Sequence, residues 1–279
     1  METGLLLIAG GMATGLFGSL LGLGGGVLLV PLLTLGFGFP VREAVGVSLV
    51  CVIVTSGASA AVFLDRRVAN LRLAMVLELF TAIGALIGGL IAFLLDERVL
   101  AGLFAVLLVY TAATMLRSRR AAPAAVAGPT VAPPAAPGAS SARARVVEAM
   151  SGDGYLVHAP SAGAVAGVGA GVISALLGIG GGLVMVPAMH VLMGVPLRVA
   201  TATSNLMIGV TASTSALVYL LRGGIDAYVA GPAAIGVFVG AAVGSRVAHR
   251  VDVRILRLLF ALVLAYTAVL MVRRAMGIS

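Results

Sequence analysis

The chain has 279 residues, of which 61% are hydrophobic and 10% are charged, and its mean hydropathy is +1.16. A soluble domain of this composition would lack the polar surface that it needs to face water, which excludes a soluble protein and indicates that the lipid bilayer is its solvent. The net charge of +8 comes from arginines scattered over short loops, with no basic domain and no aromatic stacking set, so we expect no nucleic-acid partner.

Long stretches of Ala, Leu, Val and Gly recur along the chain without the apolar–polar alternation of a membrane-spanning β-strand. Several of them reach the roughly 20 residues that a spanning helix requires. The predicted fold class is therefore an all-α polytopic membrane protein with 8–10 membrane segments, a count that follows from the number and length of these stretches.

The first repeat is predicted over residues 1–117. It opens with an apolar stretch at 5–38 that a glycine triplet interrupts, and the piece after the triplet is short for a full span. We predict a broken helix pair or a hairpin there. Three transmembrane helices should follow, at about 44–64, 73–95 and 99–116.

Residues 118–159 have a different composition, with prolines among Ala, Gly and Ser and several arginines. Such a segment cannot bury a hydrophobic core, so we predict a flexible linker. Its arginines place it on the cytoplasmic side of the membrane, because cytoplasmic loops carry an excess of basic residues.

The second repeat is predicted over residues 160–279, because an offset of 156 residues, which pairs Gly25 with Gly181, aligns the two halves without a gap. The chain is therefore an internal duplication. The stretch at 161–194 should repeat the broken pair or hairpin. Transmembrane helices are predicted at about 200–220, 229–245 and 255–272.

Matched loops of the two repeats carry opposite charge bias. The loop with Arg66 and Arg67 is basic, whereas its partner holds only Arg222 and Asp226. In the next pair of loops the basic one belongs to the second repeat. This predicts repeats of inverted topology, with both chain termini external and the substrate site near the midplane where the repeats meet.

Glycine triplets at equivalent positions could form an anion site. At each triplet the backbone can leave the helix and expose N–H groups at the start of the next one, which attracts anions without a charged side chain. The alternative is close packing of glycines between helices. The candidate substrate-binding glycines are Gly24, Gly25, Gly26, Gly180, Gly181 and Gly182, with Pro31 and Pro187 as helix-breaking residues a turn or two later.

Small hydroxyl and amide side chains are dense in the helix after each triplet. The candidate substrate-binding residues among them are Ser48, Thr203, Ser204 and Asn205. Such groups can line an anion path, or they can hydrogen-bond to neighbouring helices and have only a structural role.

Four ionisable residues are further candidates. Arg42 and Arg198 stand at the mouth of each half, where they could attract an anion or extend to the membrane interface. Glu78 and His190 lie inside apolar runs, which is typical of proton coupling. The alternative for Glu78 is that it lies within a turn or two of a helix end and simply reaches water. The chain has one cysteine and no catalytic set, so we expect no enzymatic activity, metal or cofactor.

The doubled pattern Leu-Gly-x-Gly-Gly-Gly, Val-Pro and Ala-x-x-x-Ser, at 21–26, 30–31 and 44–48 and again at 177–182, 186–187 and 200–204, resembles the TauE/SafE family of sulfite and sulfoacetate exporters. The resemblance implies a transporter of the bacterial cytoplasmic (inner) membrane that exports sulfite, sulfoacetate or related organosulfur anions. It implies a membrane potential or an ion gradient as the driving force.

Other functions stay open at this point. The chief alternative is a transporter or channel for a different small ion or metabolite, in which backbone carbonyls rather than N–H groups would face the site. A membrane accessory protein or an intramembrane enzyme is a further alternative. The sequence leaves the oligomeric state open.

Overall fold

A computed structural model describes residues 2–21, 25–65, 69–117, 151, 155–247 and 253–277, which form helices and no β-strand. The helices are α1 Glu2–Leu21, α2 Gly26–Pro31, α3 Val41–Asp65, α4 Leu71–Leu94, α5 Glu97–Arg117, α6 Pro160–Leu177, α7 Gly182–Pro187, α8 Leu197–Leu221, α9 Ala227–Val247 and α10 Val253–Ala275. One π-helical turn directly follows α2, at Leu32–Gly36, and another follows α7, at Ala188–Leu192.

The predicted all-α membrane fold is confirmed. The six long helices predicted in the two halves are α3, α4, α5, α8, α9 and α10, and their ends lie within a few residues of the prediction. Five described helices are long and apolar enough to cross a membrane: α4, α5, α6, α8 and α9. Most of the predicted linker, residues 118–150, lies outside the described residues.

Helix α4 shows how the sequence builds such a helix. Asn70 caps its start, because the Asn70 side chain accepts a hydrogen bond of 3.0 Å from the Leu73 amide. The buried face carries small residues such as Gly84 and Gly88, while large apolar side chains such as Leu79 are exposed. Small residues inside and large apolar residues outside are typical of a helix packed in lipid.

Each glycine-interrupted stretch folds into a hairpin of two arms. In the second half, the His158 amide before α6 donates to the Met193 carbonyl after the π-helical turn at 3.0 Å, so the two arms begin and end side by side. In the first half, a Cβ built on Gly10 of α1 would lie 2.7 Å from the Leu32 side chain of the returning arm. We call the described residues between the two arms, 25–26 in the first half and 178–182 in the second, the hairpin tips.

The first arm of each hairpin packs against a helix of the opposite repeat. Helix α1 lies along α9, and its equivalent α6 lies along α4, the equivalent of α9. The contacts match residue by residue: a Cβ on Gly15 would collide with the Val237 carbonyl oxygen, and a Cβ on the equivalent Gly171 would collide with the Thr81 carbonyl oxygen. The two repeats therefore exchange their first arms.

Two pairs of equivalent helices contact each other directly, α3 with α8 and α5 with α10. Gly46 near the start of α3 approaches Gly224, which follows the end of α8, and Ser56 Oγ further along α3 donates to the Asn205 carbonyl of α8 at 2.7 Å. Residue numbers rise on one helix as they fall on the other. Helices α3 and α8 thus run antiparallel.

The contacts at the helix ends sort the loops into two faces. Arg274 near the C-terminus donates to the Thr34 and Phe39 carbonyls, and Arg42 donates to the carbonyl of Leu95 at the end of α4. At the opposite face, the start of α4 contacts the start of α8, because the Asn70 amide donates to Thr203 Oγ1 at 3.0 Å.

The glycine contacts that hold α4 against α6 make a direct prediction about stability. Gly171→Ala should lower the thermal stability in detergent by about 1–3 kcal/mol, because its Cβ would overpack the Thr81 backbone. Gly169→Ala, two residues away, should leave the stability unchanged or raise it, since nothing lies within 4 Å of its Cβ and alanine favours a helix. Equal melting of the two variants would contradict this packing.

Candidate functional site

The two hairpin tips meet at the centre of the molecule. A Cβ built on Gly26 would lie 2.7 Å from the Gly178 carbonyl oxygen. Ser48 Oγ on α3 donates to that oxygen at 2.7 Å and also lies 3.3 Å from the Gly26 carbonyl oxygen. Ser48 is therefore a clamp between the tips, and its hydroxyl is already engaged in a hydrogen bond.

The second tip has a left-handed backbone. Gly178, Gly180 and Gly181 have φ angles of +69°, +82° and +74°, which glycine adopts at little cost and other residues rarely do. The Gly178 amide donates to the Ser174 carbonyl at 2.8 Å and closes α6. Within the described part of the chain, no backbone carbonyl accepts from the amides of Gly180, Gly181 or Gly182.

The first tip is built differently. Gly25 is buried with φ −59°, a right-handed conformation, where its equivalent Gly181 is left-handed. Gly24 lies outside the described residues. The described residues therefore show a left-handed tip in the second repeat, and the candidate site is built there.

Two buried hydroxyls beside the second tip have no hydrogen-bond partner. Ser174 and Ser204 are 0% and 1% exposed, and their Oγ atoms are among the three buried polar side-chain atoms that lack a partner in the described part of the chain. A Cβ on Gly182 would lie 3.3 Å from Ser204 Oγ, and one on Gly181 would lie 3.5 Å from Ser174 Cβ. An unpaired buried hydroxyl is costly, and each of these two can donate a hydrogen bond to a ligand bound at the tip.

A small cavity lies against this tip. Its lining includes Thr81, Gly180, Gly181, Ser204 and Thr211. The cavity volume of about 10 Å³ is close to the minimum for one water molecule. The space thus accommodates one oxygen-sized group, and a complete oxyanion requires the hairpin tips to separate.

The other polar candidates on α8 bond within the protein. Thr203 Oγ1 accepts from the Asn70 amide at 3.0 Å, and the Asn205 side chain donates to the Thr201 carbonyl at 2.9 Å. Of the four polar side chains expected at the site, Ser204 alone combines a place in the cavity lining with a hydroxyl that has no partner.

The predicted arginines and prolines lie away from this cavity lining. Arg42 donates through Nε and Nη2 to the carbonyls of Ala92 and Leu95, which caps the end of α4. Arg198 is exposed in the first turn of α8. Pro31 and Pro187 are the last residues of α2 and α7, where each π-helical turn begins.

The two candidates for proton coupling have different surroundings. His190 is exposed, and its Nδ1 lies 2.9 Å from the carbonyl oxygen of Val195, five residues later in the chain. Glu78 is partly buried, and its Oε1 accepts from Thr211 Oγ1 at 2.9 Å. Glu78 is therefore joined to the cavity lining, and His190 lies at the surface.

The candidates from the sequence did not include Ser174, Thr81 or Thr211. The duplication could not identify Ser174 and Thr81, because neither hydroxyl is repeated in the other half. Their equivalents are Gly18 and Val237. A single hydroxyl in an apolar helix is also common in membrane proteins, where it usually bonds to its own helix.

Comparison with known proteins places the whole chain in one class. A family model described as "Sulfite exporter TauE/SafE" matches residues 7–271. The chain is 24% identical over 269 residues to the "Probable membrane transporter protein YunE" of Bacillus subtilis, with 93% of each chain covered. It is 25% identical over 283 residues to the "Probable membrane transporter protein MJ0441" of Methanocaldococcus jannaschii, covering 95% of this chain and 94% of the relative. No solved structure matches.

The unpaired hydroxyls allow binding and stability to be separated. Ser204→Ala and Ser174→Ala should each weaken sulfite binding about tenfold, the loss of one hydrogen bond to a charged group. Their melting temperatures in detergent should stay unchanged or rise, because neither hydroxyl has a partner to lose and an unpaired buried hydroxyl is costly. Ser215→Ala is the control, since its buried hydroxyl donates to the Thr211 carbonyl within α8. Unchanged sulfite affinity in both test variants would remove these hydroxyls from the site.

Proposed function

The chain belongs to the sulfite exporter TauE/SafE family, and on that premise we propose that it is a secondary transporter that exports small anions such as sulfite, sulfoacetate or related organosulfur compounds. The observation that carries the proposal is the left-handed tip of the second hairpin, where unpaired amides and two unpaired buried hydroxyls converge at the centre of a duplicated membrane fold. No enzymatic step is part of this function.

The donors at the tip favour an anion over a cation. A cation site needs free carbonyl or carboxylate oxygens. At the tips the Gly178 and Gly26 carbonyl oxygens both face the Ser48 hydroxyl. The Glu78 carboxyl is joined to the cavity through Thr211 and is not part of its lining. The hydroxyls of Ser174 and Ser204 and the tip amides can each donate to a sulfur-bound oxygen. Several uncharged donors around one anion stabilise it and still allow release, as transport requires.

The antiparallel packing of equivalent helices supports inverted repeats in the membrane. We place the linker in the cytoplasm and both termini outside, in the cytoplasmic (inner) membrane of a bacterium, because the arginine-rich loops and linker ends then share the cytoplasmic face. Each hairpin would enter from one side of the membrane and end near the midplane. The tips then separate two half-channels, as alternating access requires.

Transport can be measured in proteoliposomes loaded with labelled sulfite, thiosulfate or sulfoacetate. Efflux should depend on the protein, should rise with an inside-negative potential, and should fall about tenfold for Ser204→Ala but not for Ser215→Ala at subsaturating substrate. Taurine, which is net neutral, serves as the uncharged comparison. Protein-dependent sodium or potassium flux without flux of any sulfur anion would replace the anion proposal with a cation transporter.

The membrane orientation has its own test. A periplasmic reporter fused after Ser279 should be active, and a cytoplasmic reporter inserted between residues 128 and 138 of the linker should be active. A fusion after Ser279 that is active only in the cytoplasm would contradict the inverted arrangement. It would leave the anion site untouched, because that site depends on the contacts between the tips.

A further inference from the structure

The Glu78 carboxyl lies between the small cavity and an apolar groove on the surface of α4 and α8. The groove has a volume of about 510 Å³, and its lining includes Leu71, Met75, Glu78 and Val210. It begins at the first residue of α4, so Glu78 is about 10 Å along the helix from the loop end. Glu78 Oε1 bonds to Thr211 at the cavity, while the buried Oε2 has no partner in the described residues.

The hydroxyl of Thr211 has two acceptors and one hydrogen. Glu78 Oε1 lies 2.9 Å from Thr211 Oγ1, and Thr81 Oγ1 lies 3.2 Å from it. Thr81 directs its own hydrogen to the Glu78 main-chain carbonyl at 3.0 Å. An ionised Glu78 accepts the Thr211 hydrogen, because a charge-assisted hydrogen bond is the stronger one. Thr211 can then offer only lone pairs to the cavity.

No described cation compensates a charge on Glu78. Among the helices packed against α4, α6 has no ionisable side chain, and α8 has Arg198 in its first turn and Tyr219 near its end. Tyr219 Oη donates to the Ala175 carbonyl at 3.0 Å, and Arg198 is exposed. On α4 itself, Arg72 is exposed nearly two turns before Glu78. An ionised Glu78 would therefore repel an anion in the cavity.

We propose that Thr211 is a hydroxyl switch that couples anion binding at the second hairpin tip to protonation of Glu78. When Oε2 takes a proton from water, forming an O–H bond, the carboxyl loses its charge and no longer holds the Thr211 hydrogen. The Thr211 hydroxyl can then rotate and donate to an anion oxygen in the cavity. The switch rests on the proposed function, and it names the proton as the ion that binds with the anion.

The duplication supplies one such switch for each chain. Thr211 has an equivalent in Thr55, but the equivalents of Glu78 and Thr81 are Ala234 and Val237. One proton should therefore bind with each anion. A dianion that moves with one proton still transfers net negative charge, so an inside-negative membrane potential still favours its export.

Proton uptake on anion binding is the direct test. Sulfoacetate is a suitable probe, since both of its acidic groups stay ionised around neutral pH. When it is added to the purified protein in weakly buffered detergent solution, the pH should rise because Glu78 takes up a proton. Sulfoacetate affinity should also increase about tenfold as the pH is lowered and Glu78 becomes protonated.

Four variants make the test specific. Glu78→Gln mimics the neutral carboxyl, so it should bind sulfoacetate as the wild type does at acidic pH, at every pH and without proton uptake. Thr211→Val should bind about tenfold more weakly and lose the proton uptake, whereas Thr211→Ser should keep both. Thr214→Val is the control, because its hydroxyl donates to the Val210 carbonyl of its own helix.

Different results would overturn the hydroxyl switch and the proposed anion transport. Binding of sulfoacetate by the wild type without proton uptake would overturn the switch and leave the anion site intact. Proton uptake that persists in Thr211→Val would also overturn it, because the carboxyl would then sense the anion without the hydroxyl. Failure of the wild type to bind any sulfur anion would overturn the proposed function, and the switch with it.

Discussion

The structure depends on the contact between two glycine tips, held by the hydrogen bond from Ser48 to the Gly178 carbonyl oxygen. Side chains at this point would keep the hairpins apart, since a Cβ on Gly26 would already lie within 2.7 Å of that oxygen. The close approach lets two short arms from opposite repeats replace one continuous span. It also brings unpaired backbone amides to the middle of the protein, where water is excluded and each donor has a larger effect than at the surface.

The duplication supplies two copies of this scaffold, and the described residues place the candidate chemistry in one of them. Ser48 uses its hydroxyl to join the tips, while its equivalent Ser204 has no partner and lines the cavity. Gly25 is right-handed where Gly181 is left-handed. Glu78 has an alanine as its equivalent. One copy therefore holds the two hairpin tips together, and the other has donors without a partner that a ligand can use.

Sequence alone could predict the helices, the duplication and the interrupted stretches, because these depend on length, composition and an offset that can be counted. Sequence alone could not predict the direction in which individual side chains point. In a soluble helix the polar face marks the outside, but lipid and protein core are both apolar, so Thr203, Ser204 and Asn205 look alike in the sequence. The rotation of α8 decides that Thr203 meets the Asn70 amide while Ser204 lines the cavity. That rotation depends on packing against α4, which is distant in sequence.

The exchange of first arms limits how the protein can move. In many inverted-repeat transporters one repeat rocks against the other. Here α1 of the first repeat is locked to α9 of the second by Gly15 at the Val237 backbone, and α6 is locked to α4 in the same way at Gly171. The repeats cannot separate as two rigid bodies without breaking both of these interfaces. The contact between the tips is weaker, because one buried hydrogen bond between membrane helices contributes only about 0.6 kcal/mol on average. Opening at Ser48 would leave both of these interfaces intact, so we expect it to cost less than separating the repeats, and it would widen the cavity at the candidate anion site.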